Sequence, residues 1–460
     1  MTAAIALDLG TTTIKAGLLS NDGTLGGIVA RPAPVISGSG GRYESDALEY
    51  AETADAVLAA CLKQSNVLPP LGLCSQRSSF LLWERANGQP VTPLISWQDD
   101  RGAASCADLR ESEPAIRALT GLPLTPYYLA PKLRVLLREH PAWREKLVSG
   151  VWLLGTLDTF LIWRWTGGKC HQTDASMAAR TLLMDIHSGQ WSPALCALFD
   201  ISPSILPQIT PSAGLALPLQ NGLRLQASVG DQSAALLAAI SEGQPEALVN
   251  LGTGGFVVCF LPEGRSVPSG YLRTLVWQDA AQQMHQAVEG TLNSIAAALA
   301  NYPVSSCRVE DLAQDDIFCL AEPSGLGAPY FRSDLGLTFS APVEHLPPQR
   351  IAALLIEGIL FRVARILEDF QREFGLERGY LSGGLSNLPA LQQGIAASLP
   401  LAVYLLQQTD ASLLGAARLA AGIPFPAAAA SIKIDAGTKL PHLAAKYGRW
   451  KAWLDGLLLA

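Results

Sequence analysis

Polar and apolar positions along this chain switch between a period of two and a period near 3.6. Ala3–Leu19 reads AAIALDLGTTTIKAGLL: an apolar run ending in Asp8, a short polar turn, then a second apolar run. The pattern predicts strand, tight turn, strand. Asn21-Asp22-Gly23 marks the next turn. Residues 48–63 carry helical spacing, and Leu71–Ser75 is a short strand ending in Gln76-Arg77-Ser78-Ser79, with Phe80–Trp83 continuing it. Leu94-Ile95 leads into Ser96-Trp97-Gln98-Asp99-Asp100-Arg101. Gly121–Tyr128 is a Pro-rich loop, followed by a helix from about Lys132 to Glu139. Val151–Trp165 is apolar and Trp-rich, which reads as core rather than as a cofactor-stacking box. Arg350–Phe374 is the clearest amphipathic helix, with Ile351, Leu355, Ile359, Val363, Leu367, Phe370 and Phe374 near one face. Tyr380–Asn387 predicts a strand end and a Gly-rich turn, with helix from Leu388 onward. After Gly422 the chain is Pro- and Ala-rich, then weakly helical to Ala460. Strands and helices alternate throughout, so the fold class is α/β.

The first pattern recurs. Leu248–Leu261, LVNLGTGGFVVCFL, is again apolar run, Gly-Thr turn, apolar run, with Asn250 where Asp8 stood. Two such hairpins, one in each half, suggest an internal duplication with domains at 1–240 and 241–460. Gly10 gives the first turn backbone freedom. The turn then gathers N–H groups, the hydroxyls of Thr11, Thr12 and Thr13, and the Lys15 ammonium, which together suit phosphate oxygens. Asp8, at the strand end, suits Mg²⁺ held through water. An ordinary hairpin turn accounts for either stretch taken alone. Taken as a pair they resemble the actin/hexokinase-like (ribonuclease H-like) ATPase superfamily, which implies two such domains with a nucleotide cleft between them.

Composition narrows the class. The chain has 460 residues, 49% hydrophobic and 16% charged, enough for two or three domains with large cores. A formal charge of −7 and a pI near 5.5 argue against a nucleic-acid surface. No apolar stretch approaches the ~18 residues that a membrane span needs, and the N-terminus lacks the basic start of a signal peptide. The eight cysteines form no Cys-x-x-Cys and no Cys/His cluster, which reads as the reduced thiols of a cytoplasmic protein.

Three constellations carry chemistry. Gly230-Asp231-Gln232 ends an apolar strand with a carboxylate and an amide; Asp231 is either a general base or the cap of the helix that follows. Ser96–Arg101 gathers an aromatic, an amide, two carboxylates and a guanidinium, a mix that holds polyhydroxy compounds or makes a solvated loop. Gln76-Arg77 is either a pair of cleft groups or a loop-facing pair.

These pieces, with Pro126-Tyr127 and Lys132, Thr173-Asp174 and Arg180-Thr181, Glu289-Gly290, Gly325–Tyr330, Ser382-Gly383-Gly384 with Asn387, and Leu414–Ala417, run in order along nearly the whole chain. In that order they resemble the FGGY family of carbohydrate kinases, and within it the glycerol kinase-like branch. The resemblance implies an enzyme, a carbohydrate kinase using ATP and Mg²⁺ to phosphorylate a terminal hydroxyl of a small polyol or sugar. It implies Asp231 as general base, and Gln76, Arg77, Trp97, Tyr127, Asp231, Gln232 and Phe256 as substrate contacts. It assigns Gly10, Thr11, Thr12, Thr13, Lys15, Gly252 and Thr253 to ATP phosphates, Gly383, Gly384 and Asn387 to the adenosine side, and Asp8 with Asp231 to Mg²⁺. Ser78 stands where glycerol kinases carry a glutamate, which implies a roomier and less anionic pocket. Xylulose kinases carry Gln-Met-His at Gln76–Ser78, a poorer match. The stretch from Glu289 to Gly325 is short for the family, so tetramer formation and regulation are not carried over. The expected partner is a small-molecule substrate, with no nucleic acid, no membrane and a homodimer as the assembly. The competing readings are a pentulose kinase and a non-catalytic, actin-like nucleotide-binding regulator.

Overall fold

The computed structural model describes residues 2–407, 409–423, 431–435 and 440–459. They form two compact units. The first runs to Ala238 and takes in Thr274–Gln286 and the segment from Asp410; the second holds Ala239–Arg273, Ala287–Thr409 and the described residues after 430. A single cut at residue 240 assigns 274–286 and 410–423 to the second half, whereas both pack with the first unit. The helix Ala411–Ala421 explains one case: Leu413, Leu414, Ala416 and Ala417 are buried, and Ser412 donates to a carboxylate of the first hairpin. The Pro/Ala-rich stretch at 424–430 lies outside the described residues.

The first unit is built on β1 (Thr2–Leu9), β2 (Thr13–Ser20), β3 (Leu25–Pro32), β4 (Leu71–Ser75), β5 (Ala213–Pro218) and β6 (Arg224–Gly230), in the order β5-β6-β4-β1-β2-β3. β1, β2 and β3 form an antiparallel meander, while β4 and β6 run parallel to β1. Leu9 pairs with Ser75, and Ser75 with Gly230, so the three parallel strands end at one edge and deliver the residues after them there. The helix Ala47–Leu62 is capped by Asp46, whose carboxylate accepts from Leu48 N at 2.8 Å and Glu49 N at 2.9 Å.

Phe80–Glu84 does not continue β4. Ser78 adopts φ +66°, turning the chain, and Phe80–Glu84 joins a second sheet with Trp152–Thr156 and Leu94–Ile95. The Trp-rich segment is core: the Trp83 ring meets Phe160 at 5.3 Å and Trp163 at 6.0 Å.

A seven-stranded sheet is formed by β7 (Glu246–Leu251), β8 (Gly255–Phe260), β9 (Leu272–Gln278), β10 (Met284–Leu292), β11 (Arg378–Ser382), β12 (Ala402–Leu406) and β13 (Ser431–Lys433), ordered β9-β10-β8-β7-β11-β12-β13. β7 is antiparallel to β8 and parallel to β11, as β1 is to β2 and β4. The repeated sequence pattern is thus a repeated structural unit. The helix Pro348–Phe374 is buried on all sides over much of its length, beyond the single apolar stripe its spacing predicts. Its inward charges are paired: Glu357 with Lys446, and Arg362 with Glu322. Among the described residues no helix is long and apolar enough to cross a membrane.

Candidate active site

The β1–β2 turn is held from below. Gly10 is required for close approach rather than for an unusual φ: a Cβ there would stand 2.6 Å from the Thr13 carbonyl oxygen. Tyr50, on the helix Ala47–Leu62, donates to the Gly10 carbonyl at 2.7 Å. Thr11 Oγ1 accepts from the Trp97 indole at 2.9 Å. Thr12 is exposed and Thr13 begins β2. The Lys15 ammonium is bound to Asp410 at 2.5 Å, so its charge is shared with that carboxylate.

Asp8 and Asp231 are the carboxylates at the edge. Asp8 Oδ2 accepts from Ser412 Oγ at 2.6 Å, while Oδ1 is buried with no hydrogen-bond partner among the described residues. Burial pushes the Asp8 carboxyl up to about 6, against the pull of Ser412 and with a further push from Asp231. A buried carboxylate oxygen without a hydrogen-bond partner among the described residues, on the strand edge it shares with a second carboxylate, is a fit for a hard cation, and Mg²⁺ takes one or two carboxylates plus phosphate oxygens and water. No group of three or more His, Cys, Asp or Glu side chains suited to a metal occurs among the described residues.

Asp231 opens the helix Asp231–Ala239 as its first residue instead of preceding it as a cap, and its Oδ1 accepts from the Gln232 amide at 2.7 Å. Its side chain keeps 30% exposure. Desolvation raises its carboxyl above the ordinary range, and the nearby Arg77 and Arg180 guanidiniums lower it. Arg77 is buried, with Nε 3.7 Å from Asp231 Oδ1 and Nη2 bonded to Gln232 Oε1. A carboxylate that is part-exposed, proton-seeking and fixed by an arginine is equipped to take a proton from a hydroxyl. Behind it, Gly230 N donates to Ser176 Oγ, and Ser176 Oγ in turn donates to buried Asp174.

Trp97 and Tyr127 form an aromatic corner, ring centroids 5.5 Å apart and tilted by 48°. Gln76, expected to face substrate, is instead 3% exposed and tied to Tyr50, Ser79 and Thr11. Ser78 Oγ donates to the Arg180 carbonyl at 2.9 Å. Asp99 does not sit on a solvated loop: it is buried, accepting from Arg101 and from Tyr43 N.

In the second unit the ends of β7 and β11 bring together a separate group. Gly252 N donates to the Gly254 carbonyl at 2.8 Å, Thr253 O accepts from Ala296 N at 3.1 Å, and Phe256 pairs with Asn250 across the hairpin. Gly383 has φ +88°, and a Cβ there would stand 2.4 Å from the Leu251 carbonyl oxygen. Gly384–Asn387 forms a short 3-10 turn closed by Asn387 Nδ2 on the Gly384 carbonyl at 3.4 Å.

Asp410, Ser412 and Ser176 escape sequence reasoning. The only local signal is their position: the first two precede the small-residue run Leu414–Ala417, and Ser176 follows Thr173-Asp174.

The N-terminal domain of the FGGY family of carbohydrate kinases matches residues 3–229 and its C-terminal domain residues 247–422. A glycerol kinase of Alkalilimnicola ehrlichii is 33% identical, the alignment covering 92% of this chain and 90% of that one. The fold is similar to that of a Plasmodium falciparum glycerol kinase with ADP (TM-score 0.86, 21% identity, 98% of both chains) and a xyloylose kinase from Brucella ovis (TM-score 0.83, 23% identity, 99% of both chains). With both family domains matched in order, the chain belongs to the FGGY family of carbohydrate kinases and is an ATP-dependent phosphotransferase.

Proposed function

We propose that this chain transfers the γ-phosphoryl group of ATP to a terminal hydroxyl of a small, glycerol-like polyol or ketose, with Asp231 as base. The observation that carries the reading is the Arg77–Asp231–Gln232 cluster at the same strand edge as Asp8 and the Gly10–Thr13 turn. The similarity to glycerol kinases supports a polyol. Asp231 accepts the hydroxyl proton as that oxygen bonds to the γ-phosphorus and the bond to the ADP oxygen breaks. Arg77 holds the carboxylate and Gln232, and Trp97 and Tyr127 offer aromatic faces to C–H surface. The family resemblance assigns Phe256 to the acceptor. Thr11, Thr12, Thr13, Lys15, Gly252 and Thr253 take phosphate oxygens; Gly383, Gly384 and Asn387 take the adenosine side. Asp8 and Asp231 would hold Mg²⁺, which supplies charge neutralisation on the transferred group.

The Ser78 hydroxyl is committed to a backbone carbonyl, so that position brings no anionic acceptor to the pocket. This supports an acceptor larger than glycerol. A non-catalytic clamp has no use for a carboxylate fixed by Arg77 beside the phosphate turn. The eight free cysteines support a cytoplasmic location, and a homodimer is the assembly we expect.

The test is ADP release from Mg-ATP with glycerol, erythritol, pentitols, ketopentoses and longer ketoses. One acceptor raises the rate far above background, and Asp231→Asn then lowers turnover by roughly 10² or more while ATP still binds. Undiminished turnover in that variant would remove Asp231 from the role.

A further inference from the structure

Trp97 uses both of its N–H groups on one closed loop of hydrogen bonds. Its backbone N donates to Ser79 Oγ at 3.0 Å, and Ser79 Oγ donates to Gln76 Oε1 at 2.9 Å. Its indole Nε1 donates to Thr11 Oγ1 at 2.9 Å, and Thr11 Oγ1 lies 3.5 Å from the same Gln76 oxygen.

The direction of every bond is forced. An indole N–H and a backbone N–H only donate, and a carbonyl only accepts. Tyr50 must give its proton to the Gly10 carbonyl, so it accepts from Gln76 Nε2 at 3.4 Å. That turns Gln76 Oε1 toward Ser79 and Thr11. Thr11 therefore has a lone pair filled by Trp97, and its own proton reaches Gln76 Oε1 at 3.5 Å, an oxygen that also accepts from Ser79. That bond is the longest of the ring, and donation from the indole makes the Thr11 hydroxyl a stronger donor.

We propose that Trp97 is a positioning residue for the Thr11 hydroxyl, so that an acceptor packed on the indole face tightens the grip of the β1–β2 turn on nucleotide phosphate. This rests on the reading of Trp97 as an acceptor-pocket wall and of Thr11 as a phosphate contact. The two sites then share a coupling free energy through one side chain that belongs to both, and the coupling is reciprocal. Gln76 is part of the same device, which explains why its amide is buried in the ring instead of facing the acceptor.

Calorimetric titration of the full chain with Mg-ADP, with and without a polyol or ketose, measures the coupling. Glycerol, erythritol and xylulose serve as probes in turn. Wild type binds Mg-ADP more tightly with the acceptor present. Trp97→Phe keeps a ring and loses the N–H, and the enhancement falls about fivefold, toward none. Thr11→Val loses the same enhancement, Thr11→Ser keeps it, and the Trp97→Phe/Thr11→Val double variant is no worse than either single one. Full enhancement in Trp97→Phe, or additive losses in the double variant, overturns the inference alone. Loss in Thr11→Ser equal to that in Thr11→Val also overturns it, because damage to the turn then explains the effect. A wild-type chain that binds none of the three acceptors overturns the underlying reading of the pocket, and this inference with it.

Discussion

The Gly230 backbone N–H donates to Ser176 Oγ at 2.8 Å, one residue before Asp231. Ser176 is buried, and its hydroxyl passes the bond on to Asp174, which also accepts from Ser212 Oγ at 2.6 Å. The strand end that carries Asp231 is thus pinned by a polar relay. Ser176→Ala leaves a buried N–H without its partner, a loss of about 1–3 kcal/mol. Urea unfolding should show that loss, and turnover should fall with little change in KM for the acceptor. Unchanged stability would mean that Gly230 finds another acceptor.

Lys132 gives a pH signature. It is fully buried, donates to the Ser96 carbonyl at 2.8 Å, and is pushed down to about 7 by burial, with Asp99 raising it and Arg101 lowering it. Its value in the unfolded chain is about 10.4. Between those limits the folded protein binds fewer protons than the unfolded chain, so the penalty for burying this amine is full at pH 7 and below and is relieved as pH rises. The slope is about 1.4 kcal/mol per pH unit at most. Lys132→Met should flatten the difference between unfolding curves at pH 7.5 and pH 9.5, to be set up in matched buffers. Parallel pH dependence in the two proteins would show that the lysine does not titrate in this window.

Arg362 and Glu322 form a fully buried pair in the second unit. Glu322 also accepts from Asn293 N at 2.8 Å and Gly327 N at 2.9 Å, and Arg362 donates to the Thr291 and Ala328 carbonyls. The pair staples the Gly325–Tyr330 loop to the long helix. Arg362→Met strands a buried carboxylate and should cost about 3–5 kcal/mol, more than the double variant Arg362→Met/Glu322→Gln. Equal losses in the two proteins, read from chemical denaturation, would mean that the staple is held by packing alone.

At Gly383 the backbone sits at φ +88° with the Leu251 carbonyl in the space a side chain needs. Gly383→Ala must shift the turn after β11, with a strain of about 1–3 kcal/mol. Mg-ADP affinity should fall about tenfold or more, while KM for the acceptor stays near wild type. Wild-type nucleotide affinity would remove this turn from the adenosine site.

The sequence alone determined the elements and the duplication. Apolar periodicity placed β1, β2, β4, β7, β8 and the helix Pro348–Phe374, because each must bury one face and the spacing of that face is local. Asp8, Arg77, Asp231 and the two Gly-Thr turns were legible for the same reason: each stands at the end of an apolar run, where strand residues give way to groups that need solvent or ligand. What tertiary structure decided was partnership. Lys15 meets Asp410 and Asp8 meets Ser412 across roughly four hundred residues, and no local pattern encodes a pairing that depends on which helix lies against the sheet. Gln76 read as a pocket residue because an amide after a strand is ambiguous; only its bonds to Tyr50, Ser79 and Thr11 turn it into a brace. Ser78 read as a departure in pocket chemistry, and the fold added that its left-handed backbone turns the chain into a second sheet while its hydroxyl faces Arg180. Types and positions of groups are written in the sequence, whereas hydrogen-bond partners are fixed by the packing of distant segments, where each buried polar atom must find whatever acceptor or donor the fold brings within reach.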